Sequence, residues 1–185
     1  MPIKFRGGTE LIDAVRFLEQ GGVTEGAVVA ELGCGTSGHF VFPAAHLTGP
    51  QGKVYAVDIL KSVLEAVKSR GKLEGVDNVE TVWADLERRG GLNIAPGSVD
   101  LVLALHILGQ VKEKEILLSE AARVLKQGGI LLVADWKKTA SPLGPPVEKR
   151  IDPAIVKELV NKAGFDMTNE FGVGLYHFGI KFKKS

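Results

Sequence analysis

One cysteine, Cys34, stands among 185 residues, so no internal disulfide can form. That suits a reducing compartment and excludes a disulfide-stapled scaffold. Net charge is nearly absent too: 23 Lys and Arg against 22 Asp and Glu leave +1. Such a balance gives no long-range attraction toward nucleic acid or anionic lipid. The basic clusters, Arg88-Arg89 and Lys181, Lys183 and Lys184, read as solvated surface. No apolar stretch has membrane-spanning length, and the opening Met1-Pro2-Ile3-Lys4-Phe5-Arg6 lacks the apolar run of a signal peptide. No His, Cys and Asp cluster has metal-ligand spacing, and no Ser sits in a nucleophile elbow. Repeats and low-complexity tracts are missing. The expectation is a soluble, cytoplasmic protein without a metal.

What is present is ordinary globular material, 45% hydrophobic and 24% charged. The length suits one domain over 1–185 that buries most of its unfolded surface. A helix is predicted over 9–20, with Thr9 as N-cap, Leu11, Ile12, Val15 and Leu18 on one face, and Gly21-Gly22 as its stop. The apolar run 27–32 reads as a buried strand feeding a glycine turn, and 39–47 as a helix that tolerates Pro43 near its start. Alternation continues with strands at 53–58, 78–83, 99–105 and 130–134 and helices at 62–70 and 113–125, Gly128-Gly129 closing the latter. Asp152-Pro153 opens a helix that ends at Gly164. Strands at 166–171 and 176–183, joined by Gly172-Val173-Gly174, form an antiparallel hairpin. Strands alternating with helices give a doubly wound, Rossmann-like, mostly parallel sheet; the hairpin makes it seven-stranded with an antiparallel last strand. The loop 138–148, with Pro142, Pro145 and Pro146, belongs at the sheet's functional edge.

Ligands in such sheets bind outside the carboxyl ends of the strands, where strand order reverses. Gly33, Gly35 and Gly38 match the G-x-G-x-x-G pattern of dinucleotide sites, which is a weak signal alone. The surroundings favour a nucleoside. Glu31 can approach a cationic ammonium group, and the glycines admit close backbone approach. Asp58 ends the second strand, where a carboxylate can accept from ribose hydroxyls, those of NAD included. Asp85 ends the third, within reach of an adenine amino group.

The segment Val29-Ala30-Glu31-Leu32-Gly33-Cys34-Gly35 resembles motif I of class I S-adenosylmethionine-dependent methyltransferases. Val57-Asp58 and Ala84-Asp85 are similar to that family's second- and third-strand acids, and 100–106 to its fourth strand. Leu125-Lys126-Gln127-Gly128-Gly129-Ile130-Leu131 resembles the element before its fifth strand, with Gln127 in place of proline. The likeness covers nearly the whole chain and is closest to the ubiquinone/menaquinone-methyltransferase-like (type 11) branch. It implies S-adenosylmethionine as cofactor, held by Glu31, Gly33, Cys34, Gly35, Ser37, Gly38, Asp58, Ile59, Asp85, Leu86 and Leu105. Ser37 stands where the family has a third glycine, which leaves open the amide facing the methionine carboxylate.

A sulfonium methyl is already activated, so the protein must chiefly align the acceptor and exclude water. His106, after the fourth strand, is the candidate catalytic residue, as a base or a pocket wall; the competing reading is a polar residue at a strand end. Asp135 and Trp136 after the fifth strand and Tyr176 and His177 before the last are candidate acceptor-pocket residues, with Pro145 and Pro146 on the rim. Arg150 is placed to pair with Asp135 or to meet an acidic group on the acceptor. Trp136 and Tyr176 could equally cap the core. His39 lies either above the turn or on a helix surface, and His46 on a helix surface. Lacking an appended RNA-binding module or a large lid, the chain is expected to take a small-molecule acceptor. The alternatives are a cofactor-binding regulatory or scaffold protein and a nicotinamide-dependent oxidoreductase.

Overall fold

The computed structural model describes residues 11–185. Its elements run α1 (Ala14–Gly21), β1 (Val28–Leu32), α2 (Val41–Thr48), β2 (Lys53–Asp58), α3 (Lys61–Glu74), β3 (Val79–Trp83), β4 (Val99–Leu105), α4 (Lys114–Val124), β5 (Leu125–Trp136), α5 (Pro153–Lys162), β6 (Phe165–Val173) and β7 (His177–Lys184). The strands form a seven-stranded sheet in the order β3-β2-β1-β4-β5-β7-β6. β1 to β5 pair in parallel, while β7 is antiparallel to both its neighbours, β5 and β6. The doubly wound sheet with one reversed strand is thus as the sequence led us to expect.

Local chemistry sets the boundaries. α1 starts at Ala14 because Asp13 accepts the Arg16 amide at 3.1 Å; Thr9, expected as the cap, lies outside the described residues. Its buried face is Ala14, Phe17 and Leu18, whereas Val15, expected inside, is 46% exposed. Pro43 falls in the first turn of α2, where its missing N–H leaves no helical bond unmade. Asp152 caps α5 by accepting the Ala154 amide at 2.9 Å, with Pro153 in first position.

Two expectations need correction. Gly128-Gly129 does not close α4 ahead of a strand at 130–134; it lies inside β5. Val99 faces Leu125 but Leu101 faces Ile130, so β5 bulges between those pairs. A Cβ on Gly129 would lie 2.9 Å from the Lys126 carbonyl oxygen, and only glycine fits there. The hairpin link is also displaced. β6 continues to Val173, paired with His177, so the turn is 174–176 rather than 172–174.

The sheet separates two apolar layers, and its central strands supply side chains to both. Leu101, Leu103 and Leu105 of β4 pack with α1, α2 and α3, while Val102 and Ala104 pack with α4 and α5. The chain leaves β3 at one edge and returns as β4 on the far side of β1, so a crevice opens at the carboxyl ends of β1 and β4. Because β7 is reversed, its first residue, His177, reaches the same end, paired with Trp136.

Candidate active site

A cavity of about 410 Å³ occupies that crevice. Its wall includes Gly33, Cys34, Gly35, Thr36 and Ser37 from the turn after β1, Asp58, Ile59 and Leu60 after β2, and Asp85 and Leu86 after β3. Leu105 at the end of β4 and His106, Ile107 and Gln110 after it belong to the wall as well. The Gly33 and Cys34 amides donate to the Val57 carbonyl at 2.8 and 3.0 Å, carrying the β1–β2 ladder into the turn. Asp58 is held by two amides: Gly35 N–H donates to Oδ2 at 3.3 Å and Leu60 N–H to Oδ1 at 2.9 Å. The acid is therefore aimed before any ligand arrives.

The three glycines do different jobs. A Cβ on Gly35 would meet no protein atom within 4 Å, so this is where backbone opens toward the cavity. Gly33 makes room for Ile107, whose Cδ1 would lie 3.0 Å from a Cβ there. Gly38, φ +54, is buried behind the turn; a Cβ would stand 2.8 Å from the Phe42 ring, and Gly38 does not reach the cavity wall. Its requirement is packing on α2. The Ser37 carbonyl faces away as well, accepting from Arg70 Nη1 at 2.5 Å. Glu31 is 2% exposed beneath the turn, off the wall, with Oε2 lacking a hydrogen-bond partner. Burial first, and the Asp58 charge second, raise its carboxyl well above the usual range, against a pull from the Val41 amide. The same order of causes, burial and then the Glu31 and Asp58 charges, lifts the Cys34 thiol far up, which leaves it an inert packing residue.

A second cavity of about 580 Å³ adjoins the first, and His106 and Gln110 line both. His106 is 5% exposed and holds φ +53, a left-handed conformation costly for a residue with a Cβ. It is fixed there by its amide donating to the Ala134 carbonyl at 2.9 Å and by its carbonyl accepting Gln110 Nε2 at 2.6 Å. Its ring stacks on Trp136, centroids 5.5 Å apart at 20°. Trp136 and Asp135 line this second cavity, as do Gly109, Gly144, Pro145, Lys149 and Arg150.

The remaining candidates divide. His177 is fully buried and packs behind Trp136 (4.2 Å) and His106 (4.8 Å). Burial, with the Lys137 and Arg150 charges adding, lowers its pKa to about 4, so the ring is neutral. Tyr176 sits in the turn, 6.5 Å from the Trp136 ring, and neither Tyr176 nor His177 reaches the cavity wall. The wall expected from them comes instead from Trp136 and Pro145, because β6 and β7 pair up to Val173 and His177 and draw the turn aside. Arg150 does not pair with Asp135. Nε donates to the Pro145 carbonyl, Nη1 to those of Lys137 and Thr139, and Nη2 to Ser141 Oγ and the Leu143 carbonyl, at 2.8–3.0 Å. All five donors are spent on the loop, none on an acceptor's acid.

Asp135 is 4% exposed; Oδ1 accepts the Trp136 amide at 2.8 Å, and Oδ2 is buried without a hydrogen-bond partner. Burial raises its pKa from 3.8 to about 6, opposed by the Trp136 and Gly109 amides. Gln110, Gly109 and Lys149 were not legible as site residues, since nothing but their nearness to His106 and Arg150 marks them. His39 is outside the site, its Nε2 2.8 Å from the Ile12 carbonyl oxygen, and His46 is exposed on α2. The Lys-rich end is partly structural: Lys184 Nζ donates to the Ala122 and Leu125 carbonyls. Among the described residues no group of acids, histidines and cysteine could hold a metal, and no helix is long and apolar enough to cross a membrane.

Residues 23–170 match the model of the methyltransferase domain family, and the chain belongs to that family. Within it, 127 residues are 35% identical to the ubiquinone/menaquinone biosynthesis C-methyltransferase of Hahella chejuensis, over 68% of this chain and 49% of that protein. The chain spans about half the length of the first such relatives it matches. In three dimensions it resembles an S-adenosylmethionine-dependent methyltransferase from Aquifex aeolicus, with a TM-score of 0.89 and 26% identity over 99% of this chain and 95% of the other. The [4+2]-cyclase SpnF shares the fold at a TM-score of 0.77 and 17% identity, covering 92% and 80% of the two chains.

Proposed function

We propose that the chain binds S-adenosylmethionine in the first cavity and transfers its methyl group to a small-molecule acceptor held in the second, working as a single cytoplasmic domain. The observation that carries this is the pair of adjoining cavities whose common wall is His106 and Gln110. The residues fit a nucleoside: Asp58 is aimed by two amides, and half-exposed Ile59 with Leu86 offers apolar faces for a flat base beside Asp85. Bound there, the cofactor supplies a methyl on a positively charged sulfur. The chain's own work is then alignment. Asp58 takes the ribose hydroxyls, Gly35 and Thr36 let backbone close on the ligand, and His106 with Gln110 meets the acceptor where the cavities join. The stacked Trp136 holds the His106 ring in place. S-adenosylhomocysteine should bind in a calorimeter, and Asp58→Ala should weaken it by about 1–3 kcal/mol through lost charge-assisted hydrogen bonds. Binding of NAD with no affinity for S-adenosylhomocysteine defeats the proposal. The family relatives at 35% identity support transfer to a small molecule over a regulatory role.

A further inference from the structure

We propose that Asp135 recognises the acceptor, its Oδ2 accepting a hydrogen bond from an N–H or O–H on a flat molecule laid against Trp136. The acceptor class is then a planar compound with a neutral or cationic donor group, and not a carboxylate. This rests on reading the second cavity as the acceptor's.

Nothing in the fold requires an acid at this position. β5 contributes Leu131, Leu132, Val133 and Ala134 to the core and then turns polar at the residue that meets the cavity. One carboxylate oxygen is consumed by the Trp136 amide; the other is buried and, although the Gly109 amide pulls on the carboxylate, no donor among the described residues lies within hydrogen-bond geometry of it. Leaving such a group unpaired is unfavourable unless something else supplies the donor.

The surrounding charges do not supply it. Asp135 is in no ion pair among the described residues, and all five Arg150 donors are turned to the loop. His177 is neutral behind Trp136, and His106 stacks on that ring. Lys149 is exposed at the rim. A Cβ on Gly109 would stand 3.5 Å from Oδ2, in ordinary contact with it, so a methyl there crowds the approach to the carboxylate. Burial holds the Asp135 carboxyl at about 6, so it is charged at neutral pH and protonated in mild acid.

The test uses two matched probes, 1-naphthylmethylamine and 1-naphthoate, followed by NMR through the Trp136 indole N–H. Trp83→Phe identifies the signal of the other tryptophan. At about pH 7.5 the amine should bind at least about tenfold tighter than the carboxylate. That preference should vanish in Asp135→Asn and shrink in Gly109→Ala. In the native protein, amine binding should weaken about tenfold between about pH 7.5 and pH 5, as Asp135 takes a proton. Equal or tighter naphthoate binding, a preference that survives both variants, or failure of both probes to move the Trp136 signal overturns the assignment. S-adenosylhomocysteine titrated into the same samples separates the two readings. Its failure to bind the native protein removes the proposed function, whereas the ranking of the naphthyl probes reports on Asp135 alone.

Discussion

At the scale of single residues, this site keeps groups that folding alone disfavours. Asp135 is the clearest. Its folded pKa, about 6, lies above the ordinary 3.8, so the folded state binds its proton more tightly than the unfolded chain. Stability from this group is therefore complete below about pH 4 and is lost as pH rises through 6. Asp135→Asn, neutral throughout, should be more stable than the native protein at about pH 8 by roughly 1–3 kcal/mol, with the gap closing at about pH 4. Denaturant midpoints at the two pH values measure it; a gap of equal size at both would show that charge is not the cause. His177 acts in the opposite direction. Its depressed pKa means that stability falls as pH drops from about 6.5 toward 4, because the unfolded ring then takes up a proton the folded one refuses. His106 was legible from position, following an apolar strand in an α/β repeat. Arg150 was misread, since placing a guanidinium and Asp135 at the same sheet end says nothing of how many carbonyls lie closer.

At the scale of elements, the segment from Lys137 to Arg150 has almost no regular structure, only a three-residue 3-10 turn at Val147–Lys149. It is shaped instead by one guanidinium that gathers carbonyls from Lys137, Thr139, Leu143 and Pro145. Lysine keeps the charge but concentrates its donors on one nitrogen and cannot span those acceptors. Arg150→Lys should speed tryptic cutting after Lys137 and Lys138 by about tenfold, with a much smaller change in the global denaturation midpoint, because the loop opens separately from the sheet. Unchanged cutting rates would show that the proline residues, and not Arg150, hold the loop. Such a unit is invisible to periodicity, which reads only repeating contacts. The sequence pattern did find all seven strands: the buried parallel ones leave apolar runs such as 101–105, and the antiparallel pair shows in the short glycine-containing link between its strands. It failed where glycines have two uses: Gly128-Gly129 suits a helix end and a bulge equally, and only pairing with β4 decides.

At the scale of the molecule, the order of strands in space departs from chain order a second time, beyond the jump from β3 to β4. β7 lies between β5 and β6 but follows both. β4 pairs with β5 no further than Leu105 with Ala134, so Asp135 and Trp136 have β7 as their strand neighbour. Time enters the structure here. As the chain leaves the ribosome or refolds, the first cavity can be assembled from residues 33–111, while the second, lined by residues between 106 and 150, also needs β7 beside Asp135 and Trp136. Pulsed hydrogen exchange during refolding should protect the amides of β1 and β4 before those of residues 135–136 and 177–180. Simultaneous protection would mean that the hairpin docks as early as the parallel core. The cavity proposed for the acceptor is then the last part of the protein to form.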